Sequence, residues 1–184
     1  MGNQITSQVI GQLTQDDTYE DWWKSKEITI PLFNNQKLPI TFMNWTPDDF
    51  QAHLEEADTA LRNFLHLTID DLNNVTDLVY KNYTDFMDEV IYDGIDPEMA
   101  NMTQNSDIWK FVYPTDIYIS KRHRRDKDIY ISVACSCGWD DEHGLQLVFR
   151  QGKKVTRVSG EDGHLTEADA WNKPDEEDEL LSKF

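Results

Sequence analysis

The sequence is poor in cysteine and contains no long apolar run. With only two cysteines in 184 residues, we expect reduced, buried thiols rather than a disulfide bond. No stretch approaches the roughly 18 consecutive apolar residues that a membrane span needs. The N-terminal residues have neither the basic start nor the apolar core of a signal peptide. We therefore expect a cytoplasmic protein that has no membrane partner.

Basic residues are also scarce, since 17 of them face 35 acidic residues and the net charge is −18. Residues 121–157 nevertheless carry nine basic and five acidic side chains, so this segment is +4 and the remainder −22. Its basic loop contains Arg122, Arg124 and Arg125. An acidic field repels phosphates at long range, so we expect no nucleic-acid partner. A basic protein partner fits the charge better, although solubility alone would also explain the acidity.

Sequence motifs of covalent catalysis are missing too. There is no phosphate-binding glycine loop, and Ser136 and Ser159 lie in no nucleophile elbow or helix-start motif. Apolar residues, in contrast, make up 39% of the chain and include six tryptophans. This composition predicts one buried core. We predict a single α+β domain over 27–172, preceded by an N-terminal arm or short helix at 1–26 and followed by a solvated, frayed acidic tail at 173–184.

Alternating apolar and polar residues predict strands between residues 116 and 164. Within 128–137, the residues that share the core face are Ile129, Ile131, Val133, Cys135 and Cys137. Leu145, Leu147 and Phe149 continue the period, and Gly152 fits a turn into 155–158. Together with 117–120, these segments predict an antiparallel β-meander of four strands over about 116–158.

Helical periodicity precedes the meander. Thr46 and Pro47 begin a helix predicted to reach about residue 65, and Thr68 begins a second that reaches about residue 91. Residues 28–32 and 37–42 predict a β-hairpin at a sheet edge, because Pro31 and Pro39 cannot donate a hydrogen bond. The predicted fold is therefore α+β, an antiparallel meander packed against two amphipathic helices, with an N-terminal hairpin.

One group of residues has the chemical character of metal ligands. Cys135, Cys137, His143 and His164 could in principle hold zinc. The Cys-x-Cys spacing is not that of a zinc finger or ribbon, and side chains two residues apart on a strand are about 7 Å apart. We therefore expect no cofactor, and zinc is the alternative.

Ionisable side chains are densest in two turns of the predicted sheet. The candidate residues of these turns are Trp139, Asp140, Glu142, His143, Asp162 and His164. Antiparallel strand parity can bring both turns to one end of the sheet, where a carboxylate could orient a histidine as a general base. The alternative is structural, with carboxylates that accept backbone N–H groups and histidines that pin neighbouring loops. We favour the structural interpretation.

A longer block combines these residues. Residues 135–153 read CSCGWDDEHGLQLVFRQGK, and residues 158–166 read VSGEDGHLT. This block resembles the signature of an uncharacterised bacterial domain family, a domain of unknown function whose members carry it near the C-terminus. The similarity extends upstream through 117–133, and the hairpin and helices resemble those of longer members. The resemblance implies a small bacterial cytosolic protein, similar in size and acidity to immunity proteins of toxin systems.

Three classes of function remain open. The one that we favour is a non-catalytic protein-binding module, immunity-like, whose acidic surface masks a basic partner. The second is a metal-dependent or histidine-carboxylate enzyme that uses the turns at 139–143 and 162–164. The third is a regulatory scaffold domain that binds no small ligand. The sequence leaves the oligomeric state open.

Overall fold

The computed structural model describes residues 5–90, 96–122 and 125–182. Its strands are β1 (Ile5–Ser7), β2 (Gly11–Gln15), β3 (Trp23–Lys24), β4 (Ile28–Ile30), β5 (Gln36–Leu38), β6 (Ile40–Phe42), β7 (Val112–Lys121), β8 (Ile129–Cys137), β9 (Leu145–Arg150) and β10 (Lys154–Ser159). Its α-helices are α1 (Pro47–His66), α2 (Ile69–Leu72), α3 (Thr76–Glu89), α4 (Pro97–Ala100), α5 (Glu167–Ala170) and α6 (Glu179–Ser182). Short 3-10 helices lie at Pro31–Phe33, Asn105–Phe111 and Asp175–Glu177.

Eight of these strands form one sheet, in the order β1-β2-β3-β6-β7-β8-β9-β10. Strands β7 to β10 are consecutive and antiparallel, which confirms the predicted meander. Strand β6 runs parallel to β7, with Ile40 opposite Ile117 and Phe42 opposite Ile119. The meander therefore forms half of a larger sheet, whose other half comes from the N-terminal part of the chain.

The N-terminal segment contributes strands rather than the predicted arm or short helix. Strands β1, β2 and β3 extend the sheet, and Leu13 and Trp23 are almost fully buried. Ser7 Oγ donates to Asp58 Oδ1 at 2.5 Å, and Gln8 N donates to Asp58 Oδ2 at 2.9 Å, which fastens the β1–β2 turn to α1. These contacts span about fifty residues of sequence, so local periodicity carries no sign of them.

The predicted hairpin forms, but it is shorter than predicted and its last three residues belong to another sheet. Strands β4 and β5 pair as a separate two-stranded sheet, and Asn34 and Asn35 between them have φ values of 51° and 62°. Pro39 ends this pairing, and β6 then enters the large sheet between β3 and β7. The edge position predicted for 37–42 is therefore wrong for Ile40–Phe42, because Pro39 precedes β6 and withholds no hydrogen bond from its ladder.

The first helix begins as its cap predicts. Asp49 N donates to Thr46 Oγ1 at 3.3 Å, while Thr46 N donates to Asp49 Oδ2 at 2.9 Å. The second predicted helix, 68–91, is divided into α2 and α3. Asn73 and Asn74, both poor helix formers, occupy the break, and residue 91 lies outside the described residues. No helix in the described ranges is long and apolar enough to cross a membrane.

Both faces of the sheet are covered. The fold is α+β because the sheet is mainly antiparallel and the helices are segregated from its strands along the chain. On one face α1 and α3 pack, with Phe64 and Phe149 in edge contact at 5.4 Å between ring centroids. On the opposite face the chain beyond β10 lies against the strands, because Leu165 O accepts from Thr156 Oγ1 at 3.2 Å. Burial of residues on both faces explains why β8 and β9 are more apolar than a half-buried strand requires.

The C-terminal segment was predicted to be a frayed tail, but its described residues, 173–182, are folded. Asp178 is fully buried, and it accepts hydrogen bonds from Ala168 N at 2.9 Å and from Leu181 N at 3.0 Å. Leu181 is 5% exposed. The prediction of a solvated tail over 173–184 is therefore wrong for residues 173–182, because one of its acidic residues caps a helix and one of its leucines joins the core.

Candidate functional site

The predicted basic loop contains a buried arginine. Arg122 is 3% exposed, and its guanidinium donates to Asp169 at 2.9 Å, to Asp126 at 2.8 Å and to Asp175 at 2.7 Å. Burial works against its charge, but the hydrogen bonds to these three carboxylates outweigh burial and raise the pKa of Arg122. The hydrogen bond from Arg122, followed by that from Arg125, lowers the pKa of Asp175. Arg122 is therefore a structural cation that fastens the C-terminal segment to the end of β7.

Other basic side chains of the sheet are also paired within the chain. Lys121 contacts Asp49, and Arg125 contacts Asp175. Arg150 donates to Asp128 at 2.7 Å. Arg157 contacts Asp162 and Glu167. Arg124, the remaining member of the predicted basic loop, lies outside the described residues. The segment that is most basic in sequence therefore does not present these five cations to a partner.

The turn between β8 and β9 is organised by one carboxylate. Asp140 Oδ1 accepts from Glu142 N at 3.1 Å, from His143 N at 2.9 Å and from the His143 ring at 3.3 Å. Gly144 has a φ of 62°, and a Cβ there would lie 2.5 Å from the carbonyl oxygen of Cys135. Hydrogen bonds between residues of the turn therefore fix its shape. One of them joins the ring of His143 to the carboxylate of Asp140, which agrees with the structural interpretation of these residues.

The two candidate turns meet, but only in part. Glu161 N donates to His143 O at 3.1 Å, so the chain after β10 touches the β8–β9 turn at this end of the sheet. Asp162 faces elsewhere, since it accepts from Gln146 Nε2 at 2.8 Å and contacts Arg157. His164 lines a separate cleft with Lys121, Arg122 and Asp169. The predicted corner is therefore split, with Asp140, Glu142 and His143 beside Glu161 rather than beside His164.

Trp139 has a core role. Its side chain is 2% exposed, its Nε1 donates to Asn82 Oδ1 at 3.1 Å, and its ring lies edge-on to Tyr83 at 5.9 Å. Because both Asn82 and Tyr83 belong to α3, Trp139 fixes the turn against that helix. It is not available to a ligand.

The two thiols are buried and unpaired with each other. Cys135 and Cys137 are each 3% exposed. Burial raises the pKa of both, that of Cys137 to about 11. In the described part of the chain no three His, Cys, Asp or Glu side chains form a group that could hold a metal ion, so the zinc set Cys135, Cys137, His143 and His164 is not assembled. The expectation that no cofactor is needed stays a prediction.

Gln146 is a polar residue whose role the sequence did not reveal. It is 3% exposed, and its Nε2 is within hydrogen-bond distance of Ser159 Oγ at 3.0 Å, Asp162 Oδ1 at 2.8 Å and His164 O at 3.2 Å. In the sequence it is a single polar residue between Leu145 and Leu147, which carries no sign of these contacts. Gln146 holds the chain at 159–164 against the sheet, and thereby shapes the cavity described next.

A narrow cavity of about 130 Å³ opens on the sheet face opposite α1 and α3. We call it the aromatic slot, and it is lined by Trp22, Met43, Tyr118, Ser120, Ser132, Ala134, Gln146, Glu161, Gly163 and Leu165. Trp22 and Tyr118 form a corner, with ring centroids 6.2 Å apart and planes at 62°. Local periodicity does not predict this site, because Trp22 and Met43 come from the N-terminal part of the chain and the other lining residues lie beyond residue 117.

Electrostatics in the slot centre on Glu161. Burial raises its pKa, and the charge of Asp116 raises it further. Burial also raises the pKa of Tyr118, followed by the charges of Asp116 and Glu161. Glu161 additionally borders the small acidic cavity that contains Asp140, Asp141, Glu142 and His143. The slot and the β8–β9 turn thus share one carboxylate.

A family model described as Domain of unknown function (DUF6985) matches residues 9–165. The chain belongs to this family. The matched DUF6985 domain includes strands β2 to β10, the β8–β9 turn and every residue of the aromatic slot. It ends before Asp169 and Asp175, the two carboxylates beyond β10 that bind Arg122. Comparisons with curated proteins and with solved structures returned no match.

Within its described residues, the DUF6985 domain offers oxygen atoms for a cation, but no serine or cysteine that is hydrogen-bonded to a histidine. Ser159 Oγ donates to Gly160 O at 2.8 Å instead of to a histidine. The ring of His143 is paired with Asp140, and neither cysteine is activated by a neighbouring cation. The metal-dependent or histidine-carboxylate enzyme stays a prediction that no observation favours.

Proposed function

We propose that this DUF6985 protein is a cytoplasmic, non-catalytic protein-binding module of bacterial origin, immunity-like, whose acidic surface recognises a basic protein partner. The observation that carries the proposal is the pairing of its basic residues. Five cations of the segment 121–157 are held by carboxylates of the same chain. What remains at the surface is the acidic surplus of a molecule whose net charge is −18.

The acidic surplus includes a pair of carboxylates on a well-ordered turn. Asp140 accepts the backbone N–H groups of the β8–β9 turn, whereas the side chains of Asp141 and Glu142 are exposed. Glu161 adjoins them across the hydrogen bond between Glu161 N and His143 O. We define Asp141, Glu142 and Glu161 as the acidic end. A turn held from within presents its charges in a fixed geometry, and fixed charges give specificity as well as a faster encounter.

The experiment that tests the proposal compares two pairs of neutral substitutions. Asp141→Asn with Glu142→Gln removes charge at the acidic end, while Asp88→Asn with Glu89→Gln removes the same charge from exposed positions at the end of α3. Each double variant changes the net charge from −18 to −16. The probe is a peptide of alternating glycine and lysine, titrated into isotope-labelled protein and followed by NMR chemical shifts.

We expect the acidic-end variant to bind the peptide about tenfold more weakly, the loss that about 1.4 kcal/mol of charge complementarity produces. The α3 variant should bind nearly as the wild type does. Equal weakening in both variants would show only non-specific attraction and would overturn the proposal. Absence of any saturable shift with the wild-type protein would overturn it as well.

A further inference from the structure

The aromatic slot contains polar groups that the protein itself leaves without partners. Among the described residues, the hydroxyls of Tyr118, Ser120 and Ser132 and the carboxylate of Glu161 accept or donate no side-chain hydrogen bond. The three hydroxyl-bearing residues are half-buried. These groups are open to solvent, so a ligand in the slot can replace their water and form hydrogen bonds with them.

The walls of the slot select for shape. Ligand pockets for whole small molecules usually enclose about 300–1,000 Å³, whereas this slot encloses about 130 Å³. It suits one extended side chain. Met43, Ala134 and Leu165 offer apolar contact along the slot, and the corner of Trp22 and Tyr118 offers two aromatic rings. Aromatic rings attract a cation through the negative charge on their faces.

Glu161 supplies the opposite charge for such a cation. Its carboxylate is disfavoured as an anion by burial and by Asp116, which together raise its pKa. A cation bound beside the carboxylate would favour its charged form and offset the repulsion from Asp116. No basic side chain lines the slot within the described residues. The countercharge must therefore come from outside.

We propose that the aromatic slot receives one lysine side chain of the basic protein partner, an inference that rests on the proposed function. Lysine fits because its aliphatic stem matches the apolar walls and its ammonium group carries three rotatable donors. These donors can be shared among the separate acceptors Tyr118, Ser132 and Glu161. The planar fork of arginine is best matched to two oxygens of one carboxylate, so an arginine paired with Glu161 would leave the hydroxyls of Tyr118 and Ser132 without a hydrogen bond.

The test uses the full chain and three forms of one short peptide, in which a single central residue is lysine, Nε-acetyl-lysine or arginine within a glycine-serine background. Binding is followed by NMR at the Trp22 indole and at the amides of Tyr118 and Glu161. We expect a saturable shift at these positions with the lysine peptide. The acetylated peptide should bind about tenfold more weakly, because it keeps the stem but loses the charge.

A matched pair of variants separates the slot from general charge. Glu161→Gln removes the carboxylate of the slot, and Glu89→Gln removes the same charge from an exposed position at the end of α3, which lies neither in the slot nor at the acidic end. Urea unfolding of both variants verifies that they are folded. We expect Glu161→Gln to weaken binding of the lysine peptide about tenfold, as loss of a charged hydrogen-bond partner does, and Glu89→Gln to leave its affinity within about twofold.

The possible outcomes distinguish this inference from the proposed function. If the lysine-rich peptide binds the acidic end while the Trp22 indole does not shift, the slot proposal is overturned and the proposed function stands. If Glu161→Gln and Glu89→Gln weaken binding of the lysine peptide equally, the slot proposal is overturned, and the acidic-end variants still decide the proposed function. If the arginine peptide binds more tightly than the lysine peptide, the lysine assignment is overturned. If no basic peptide binds the wild-type protein, both proposals fail.

Discussion

Arg122 Nη2 donates to Asp175 Oδ1 at 2.7 Å, across 53 residues of sequence. The contact joins the residue that follows β7 to the C-terminal segment. Asp169 and Asp126 complete the shell of carboxylates around the same guanidinium. Arg122, which is 3% exposed, thus connects β7 with the C-terminal segment.

Removal of that cation should be costly. Arg122→Ala removes the buried cation that Asp126, Asp169 and Asp175 share. Arg125 and Arg150 remain near these carboxylates, so we expect a loss of about 3 kcal/mol in the free energy of unfolding. Urea unfolding measures it. Lys37→Ala, a change at an exposed position of β5, serves as the control and should stay within about 0.5 kcal/mol of wild type. A wild-type urea midpoint for Arg122→Ala would show that the cluster contributes nothing to stability.

Two glycines with a positive φ allow the cost of backbone strain to be measured apart from the cost of a steric clash. Gly152 has a φ of 64°, and a Cβ there would lie 2.0 Å from the carbonyl oxygen of Ala60, whereas Gly163 has a φ of 74° and no atom within 4 Å of its Cβ position. We expect Gly163→Ala to cost about 1 kcal/mol, the strain term alone. Gly152→Ala should cost about 1–3 kcal/mol more, because the β9–β10 turn must move away from α1. Equal thermal midpoints in the two variants would contradict the close approach.

The pairing of Asp49 with Lys121 predicts a pH dependence. Burial works to raise the pKa of Asp49, but hydrogen bonds from Lys121 and Thr46 lower it from 3.8 to about 2. Because the pKa is lower in the folded state, ionised Asp49 stabilises the fold above about pH 4, and this contribution is lost as the pH falls towards 2. We expect Asp49→Asn to lower the free energy of unfolding by about 2 kcal/mol at neutral pH. The variant should also lose less stability than the wild type as the pH falls from about 4 towards 2.

The measurement is a series of urea titrations between neutral and strongly acidic pH. Asp48→Asn is the control, since Asp48 is exposed in the same first turn of α1. An acid limb in Asp49→Asn that runs parallel to that of wild type would refute the assignment.

The buried thiols should be inert in the folded protein. The pKa of Cys137 is raised to about 11, and that of Cys135 is raised further by deeper burial. Thiolate is the reactive form, so we expect iodoacetamide at mildly alkaline pH to modify neither residue in the native state and both in guanidinium. Intact-protein mass spectrometry gives the count. A single rapid modification of native protein would reveal an accessible, activated thiol and would revive a catalytic role for this strand.

The core faces of the meander can be tested directly. Ile131 and Leu147 are fully buried, and each change to alanine should cost about 2–5 kcal/mol. Ser136 is exposed at the end of β8, so Ser136→Ala is the matched control on the same strand. If the control destabilised the protein more than Ile131→Ala did, the assignment of faces would be wrong.

The amino-acid sequence determined the elements whose causes are local. Alternation in 128–137 and 145–149 placed β8 and β9, and Thr46 with Pro47 placed the start of α1, because side-chain period and helix caps depend on near neighbours. The same logic failed at Asn73 and Asn74, where the apolar stripe continues although the helix is broken.

Only the tertiary structure decided which distant segments meet. Whether Ile5–Ser7 pairs as a strand depends on an open sheet edge, and whether Arg122 is a surface cation or a buried one depends on carboxylates 47 and 53 residues away. The aromatic slot forms only because Trp22 lies beside Tyr118. His164 lies outside the predicted corner because hydrogen bonds from Gln146 and Arg157 direct Asp162 away from the β8–β9 turn. These arrangements follow from long-range pairing and burial, which leave no periodic trace in the sequence.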